Sequence, residues 1–371
     1  MPSIIPLADL RREYKEIHSE IDQAVARVVQ RGWFVLGQEV EAFEEAWAAY
    51  CDVPHAVAVG SGTDALYLIL RASGIGPGDE VVLPALASTY TALAVSMTGA
   101  VPVFADVDAR YHTLDPAALA AATTPRTAAV VPAHLYGCPA EMAKIGEVAR
   151  RHGLLVVEEA SHAPGARYAG RRVGGLAGAA AFSFYPTLNL GAYGDAGAVT
   201  TADAGLATRI RKLRSGGWVE LAGKGVLGIR SRPDEIQAAV LGVKLPHLDA
   251  WNRERRAIAA RYEAGLGNLA GLALPGVPPQ AEAAYYLYVL RTPLRERLHD
   301  YLEGAGVSSG GQYSQPVYRQ PAYAGLGYGT GACPNAEEAA AEMLSLPIFA
   351  QLSRAEVDQI TRLVRIFFAM R

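Results

Sequence analysis

Ala179-Ala-Ala-Phe-Ser-Phe-Tyr-Pro-Thr-Leu-Asn-Leu-Gly-Ala-Tyr-Gly194 decides how this 371-residue chain is read. It begins as an apolar strand of small residues and ends in a glycine-bounded loop. Ser183, Tyr185, Thr187 and Asn189 fall where a buried strand delivers side chains into a pocket. A strand that is apolar on both sides belongs in a sheet covered on both faces.

Outward from this stretch, short apolar runs alternate with helical patterns. Strands are predicted at 56–59, 80–83, 101–105, 128–132, 154–158, 179–184 and 197–200. Helices are predicted at 89–98, 115–122, 139–152 and 203–214. Two helices come first: 8–30, with Leu10, Tyr14, Ile17, Ile21, Val25 and Val28 at helical spacing and Gly32 as its stop, and Glu39 to Tyr50. The reading is α/β: a central, mainly parallel seven-stranded sheet flanked by helices, in a large domain over 1–245. After Pro246 the pattern changes to a long helix at 247–267, a strand from Tyr285 to Leu290, and helices at 294–304 and 353–368. These form a small α+β C-terminal domain over 246–371.

Composition bounds the function. Hydrophobic residues make up 51% and charged residues 19%, as in a globular chain with a large core. A net charge of −3 offers no basic face for nucleic acid. No apolar run is long enough to span a membrane. Cys51, Cys138 and Cys333 are far apart, without metal-ligand spacing or a disulfide framework, and read as reduced thiols of a cytoplasmic protein with no signal peptide. Only five lysines occur: Lys15, Lys144, Lys212, Lys224 and Lys244.

Gly60-Ser-Gly-Thr-Asp64 follows a strand and opens a helix, where free backbone N–H groups and a threonine hydroxyl make an anion seat. A simple helix cap is the plainer alternative. Ser183 and Asn189 belong to a second strand-to-loop element suited to the same anion. Glu158 and Glu159 end another strand, and alternation turns Glu158 away from the side Glu159 faces. His162 is the best general-base candidate if other chemistry operates, with a hydrogen-bonded structural histidine as the alternative. His134 and Tyr136 are expected to line the same crevice.

Gly32-Trp-Phe-Val-Leu-Gly, Ser61-Gly-Thr-Asp-Ala-Leu, Gly99-Ala-Val-Pro-Val-Phe-Ala-Asp, His134-Leu-Tyr-Gly, Phe182-Ser-Phe-Tyr-Pro-Thr, Asp234-Glu-Ile-Gln-Ala-Ala and Leu344-Ser-Leu-Pro-Ile run in order across the chain. Together they resemble the DegT/DnrJ/EryC1/StrS family of sugar aminotransferases, enzymes of fold type I that use pyridoxal phosphate (PLP). The resemblance implies a homodimer whose pocket is completed across the interface, nucleotide-linked keto-sugar substrates and glutamate as amino donor. It also implies that Gly62, Thr63 and Ser183 hold the cofactor phosphate. Arg230-Ser-Arg-Pro-Asp replaces an Asn-Ser-Arg-Leu-Asp-like motif that in the family reaches the partner's phosphate, so Arg230 either holds that phosphate as a charged donor or is a solvated loop arginine. A carboxylate is expected opposite the pyridine nitrogen, an aromatic ring on the cofactor face and a lysine in Schiff-base linkage.

At those positions this chain differs. Glu159 stands where the family has Asp, His162 where it usually has Gln, Ser88 where an aromatic is expected, and Leu188 at the lysine position. Gln312-Tyr-Ser replaces a His-Tyr-Pro-like substrate motif. If a lysine belongs at 188, the leucine being engineered or a miswritten modified lysine, the reaction is transamination. If the leucine is native, PLP is held noncovalently or lost. The chain then runs lysine-free chemistry through His162 or Glu159, or is a dead paralogue that binds a ligand or stabilises a partner.

Overall fold

The computed structural model describes residues 4–370, so the outermost ends of the two expected domains lie outside the described residues. In chain order the strands are β1 (His55–Val59), β2 (Glu80–Pro84), β3 (Val101–Ala105), β4 (Thr127–Val130), β5 (Leu155–Glu159), β6 (Arg167–Tyr168), β7 (Arg171–Arg172), β8 (Ala179–Ser183) and β9 (Gly197–Thr201). Beyond these come β10 (Trp218–Leu221), β11 (Lys224–Leu227), β12 (Ala281–Glu282), β13 (Tyr288–Arg291) and β14 (Met343–Leu346). The seven predicted strands form one sheet in the order β1-β9-β8-β5-β4-β2-β3. β9 runs antiparallel to both its neighbours, while β2, β3, β4, β5 and β8 pair in parallel.

Strand alternation builds both cores. Ala179 and Ala181 face one layer with Val57, Val81 and Val199, under α3 (Gly62–Ala72). Ala180 and Phe182 face the other, against Phe43 and Trp47 of a helix at Gln38–Tyr50. The small side chains of β8 let α3 approach closely. Gly62 shows how closely: a Cβ there would stand 2.7 Å from Ser183 Cβ and 3.1 Å from its backbone nitrogen.

The first helix, Leu10–Arg31, is capped by Asp9 and ends at Gly32 in the left-handed conformation, as the sequence predicts. The C-terminal lobe packs Tyr262, Leu290, Leu344, Ile360 and Val364 into its own cluster, joined by Ile5. One prediction fails here. The strand expected from Tyr285 begins only at Tyr288, where it pairs with β14. Tyr285 adopts φ +46, and Ala284 N–H donates to Gly137 O, so this segment turns toward the site instead of continuing the ladder. The hairpin β10–β11 and the helix at Glu235–Lys244 were not predicted as elements.

Candidate functional site

The C-terminal ends of β1, β2, β5 and β8 open into one cleft of about 710 Å³, the edge at which open α/β sheets take ligands. Its wall joins Ser61, Gly62 and Thr63 after β1, Ser88 and Tyr90 after β2, and Glu159, Ser161 and His162 at the end of β5. Ser183, Tyr185, Thr187 and Leu188 come from β8 and its loop, and Tyr286, Gln312 and Tyr313 from the C-terminal lobe.

The anion seat lies on the β1–α3 turn. Ser61 Oγ accepts the Asp64 N–H at 3.1 Å. The N–H groups of Gly62 and Thr63 have no acceptor among the described residues. A helix N-terminus with free N–H groups carries partial positive charge and binds phosphate. Ser183 completes the seat: Ser161 Oγ accepts its backbone N–H at 3.1 Å, its own Oγ accepts the Tyr185 N–H at 3.2 Å, and its Cβ and backbone stand against Gly62. Gly197 makes room on the other side, where a Cβ would meet the Ser61 carbonyl at 2.4 Å.

Glu159 Oε1 accepts the Ser161 N–H at 3.2 Å, and burial pushes its carboxyl above the ordinary carboxylate range. His162 is held from behind: the Tyr136 N–H donates to Nδ1 at 3.2 Å. Burial pushes the ring down to about 4, so it is neutral at pH 7. A neutral imidazole that accepts at Nδ1 carries its proton at Nε2. Nε2 lies 3.4 Å from the Tyr313 hydroxyl. His162 therefore donates on its cleft side, which conflicts with the general-base role considered from sequence.

Leu188 is 6% exposed and lines the cleft, and no lysine is among the lining residues. Lys244 is fully buried, with Nζ bonded to Gly191 O at 2.6 Å and 2.6 Å from Glu13 Oε1. Lys224 is exposed on β11.

Several sequence expectations do not hold. Asn189 does not line the cleft: its side-chain amide donates to Asn252 Oδ1 and Ala284 O, both at 2.8 Å, because the loop turns it into the protein. His134 is buried behind the sheet, bonded to Glu158 Oε2 at 3.0 Å and to the Ala140 N–H at 3.0 Å. Glu158 faces away from the cleft, as alternation requires. Tyr136 is absent from the cleft wall and stands behind His162. Arg230 is exposed and bridges Ser215 through its backbone, outside this chain's own cleft. Ser161 lines the cleft without having been singled out, and Tyr286 lines it too. Tyr286 had read as part of a core strand, and only the turn at Tyr285 brings it to the cleft.

The DegT/DnrJ/EryC1/StrS aminotransferase family model matches residues 15–365. The erythromycin biosynthesis sensory transduction protein EryC1 of Saccharopolyspora erythraea is 50% identical, over 96% of this chain and 97% of its own. The dTDP-3-amino-3,4,6-trideoxy-alpha-D-glucose transaminase of Streptomyces venezuelae is 47% identical over 97% and 95%. The crystal structure of S. venezuelae DesV in complex with a ketimine intermediate matches with a TM-score of 0.95 at 46% identity, covering 99% of each chain. The architecture is that of PLP-dependent transferases of fold type I. The chain belongs to the DegT/DnrJ/EryC1/StrS aminotransferase family.

Proposed function

We propose that this protein binds a phosphorylated pyridoxal-type cofactor without covalent attachment, beside a nucleotide-linked keto-sugar, and does not turn over as an ordinary transaminase. The observation that carries this reading is Leu188 in the cleft wall, with no lysine amine beside it. A hydrocarbon side chain neither bonds a carbonyl carbon nor moves a proton.

The remaining groups fit the cofactor. Gly62 and Thr63 N–H and the Ser183 hydroxyl would hold its phosphate. Glu159 would pair with its ring nitrogen, and that cation would draw the carboxyl back to its charged form. His162 would line the cofactor site as a neutral ring. When bound, the cofactor supplies an electron sink for chemistry at a nitrogen-bearing carbon. The sugar class is supported by relatives named for dTDP- and UDP-linked sugars.

A second copy of this chain is the partner this reading expects. Tyr90 and Tyr185 line the cleft yet are 66% and 55% exposed, and Trp33 and Trp218 are 60% and 62% exposed. Covering such rings by association removes apolar surface from water. Sedimentation at micromolar concentration should give a dimer, and a monomer would count against this.

The test adds PLP, or its amine form PMP, to purified protein, follows the cofactor absorbance, and then applies borohydride before intact-mass measurement. The expected result is cofactor that dialyses away from wild type, and a fixed adduct in Leu188→Lys. A fixed adduct in wild type would overturn the reading. A Leu188→Lys protein that folds but fixes nothing would mean that the cleft serves another ligand.

A further inference from the structure

We propose that Tyr313 is the residue that presents a proton to the guest of the cleft, with His162 as its positioning residue, through the one-way series Tyr136 N–H to His162 Nδ1, His162 Nε2–H to Tyr313 Oη, and Tyr313 O–H to the guest. The proposal rests on the reading of the cleft as a cofactor and sugar site.

Direction is set at the first link. A backbone N–H only donates, so Tyr136 leaves Nδ1 no proton, and the neutral ring keeps its proton on Nε2. That proton points at the Tyr313 oxygen, which accepts it at 3.4 Å with the Ser88 and Gln312 side chains also beside it, so the phenol meets the cleft with its own O–H as a donor. Such bonds are often long until a ligand is bound.

The rings have little freedom to leave this arrangement. His162 lies near-parallel to Tyr136 at 12° and to Tyr313 at 19°, with centroids 6.2 Å away in both cases, and Tyr286 packs on it at 4.5 Å. Tyr136 and Tyr313 both adopt left-handed backbone, at φ +57 and +62, a conformation L side chains enter only under constraint. Beside Tyr136, Gly137 leaves no room for a side chain: a Cβ would meet Tyr285 N at 2.7 Å and His162 O at 3.1 Å. The donor amide is thus wedged against the ring it feeds.

The other titratable groups lining the cleft are Tyr90, Glu159, Tyr185, Asp195 and Tyr286. Burial raises the Tyr313 phenol, so it stays protonated and acts as a hydrogen-bond donor, not as a phenolate. The guest atom it suits carries lone pairs and no proton: a carbonyl oxygen or an oxyanion.

Nitrogen-15 NMR of the full chain, labelled at histidine, tests the series directly. His162 should appear as the Nε2–H tautomer and remain neutral down to pH 5. An Nδ1–H tautomer, or protonation near pH 6.5, would overturn the proposal. PMP titration then compares wild type with Tyr313→Phe, which should bind about tenfold more weakly while His162 keeps its tautomer. Equal PMP affinity of the two proteins would overturn the donor role of Tyr313 alone. Failure of PMP to bind wild type, with the tautomer as expected, would overturn the cofactor reading and the donor role with it.

Discussion

Lys244 Nζ donates to the carbonyl oxygen of Gly191 at 2.6 Å, so a fully buried ammonium fastens the loop that carries Leu188. The same nitrogen lies 2.6 Å from Glu13 Oε1 and 4.2 Å from the centre of the Tyr193 ring. Burial lowers its pKa and Glu13 opposes that shift. This amine is committed to structure. Lys244→Met leaves the Glu13 carboxylate without its cation and should cost about 3 kcal/mol, read from urea unfolding. It should leave the outcome of borohydride treatment unchanged.

Gly62→Ala tests the anion seat. Its Cβ would press on Ser183 Cβ and backbone, which cannot yield without moving β8. A loss of about 2 kcal/mol is expected from overpacking. Binding of PLP, measured by equilibrium dialysis, should weaken more than tenfold. Retained binding in a folded variant would place the phosphate elsewhere.

Two adjacent glutamates should respond oppositely. Glu158 is fully buried and accepts the N–H groups of Gly174, Leu176 and Ala177 at 2.9, 2.8 and 3.0 Å. Glu158→Gln should destabilise by about 3 kcal/mol and leave PLP affinity nearly unchanged. Glu159, whose carboxyl is raised by burial, contributes stability at acid pH that is lost as pH rises through its folded pKa. Glu159→Gln should therefore raise the thermal midpoint at pH 7 while weakening PLP binding.

Acid should destabilise the fold through two histidines. Burial pushes both His112 and His162 down to about 4, against an ordinary value of 6.5. Between those limits the unfolded chain binds the protons, so stability falls as pH drops from 6.5 toward 4. Each should contribute a loss of about 2 kcal/mol between pH 7 and pH 5. Glu159 acts in the opposite direction, so the cleaner measurement is the difference between wild type and His162→Gln. The variant should show a shallower decline of the urea midpoint; an identical decline would mean that His162 already titrates in the folded state.

Much of the architecture was legible because its signals are local. The strands β1, β2, β3, β4, β5, β8 and β9 were predicted within two residues at each end, since uninterrupted apolar runs between helical patterns have few other uses. Gly62, Thr63, Ser88, Glu159, His162, Ser183 and Leu188 reach one cleft, as strand-end positions should. Asn189 was misplaced because the loop beyond Pro186 has no period from which a side chain's direction can be read. Tyr286 was missed because an aromatic next to a strand looks the same whether the chain continues or turns.

What the sequence determined by itself is the sheet, the glycines its close contacts require and the leucine at position 188, because periodicity, size and the absence of an amine are properties of residues one at a time. Only the tertiary structure decided that Lys244 is tied to Gly191 and that the Tyr136 amide sets the proton on His162, which in turn faces Tyr313. Those are relations between groups far apart in the chain, and a hydrogen bond has a direction only once both of its ends have a place.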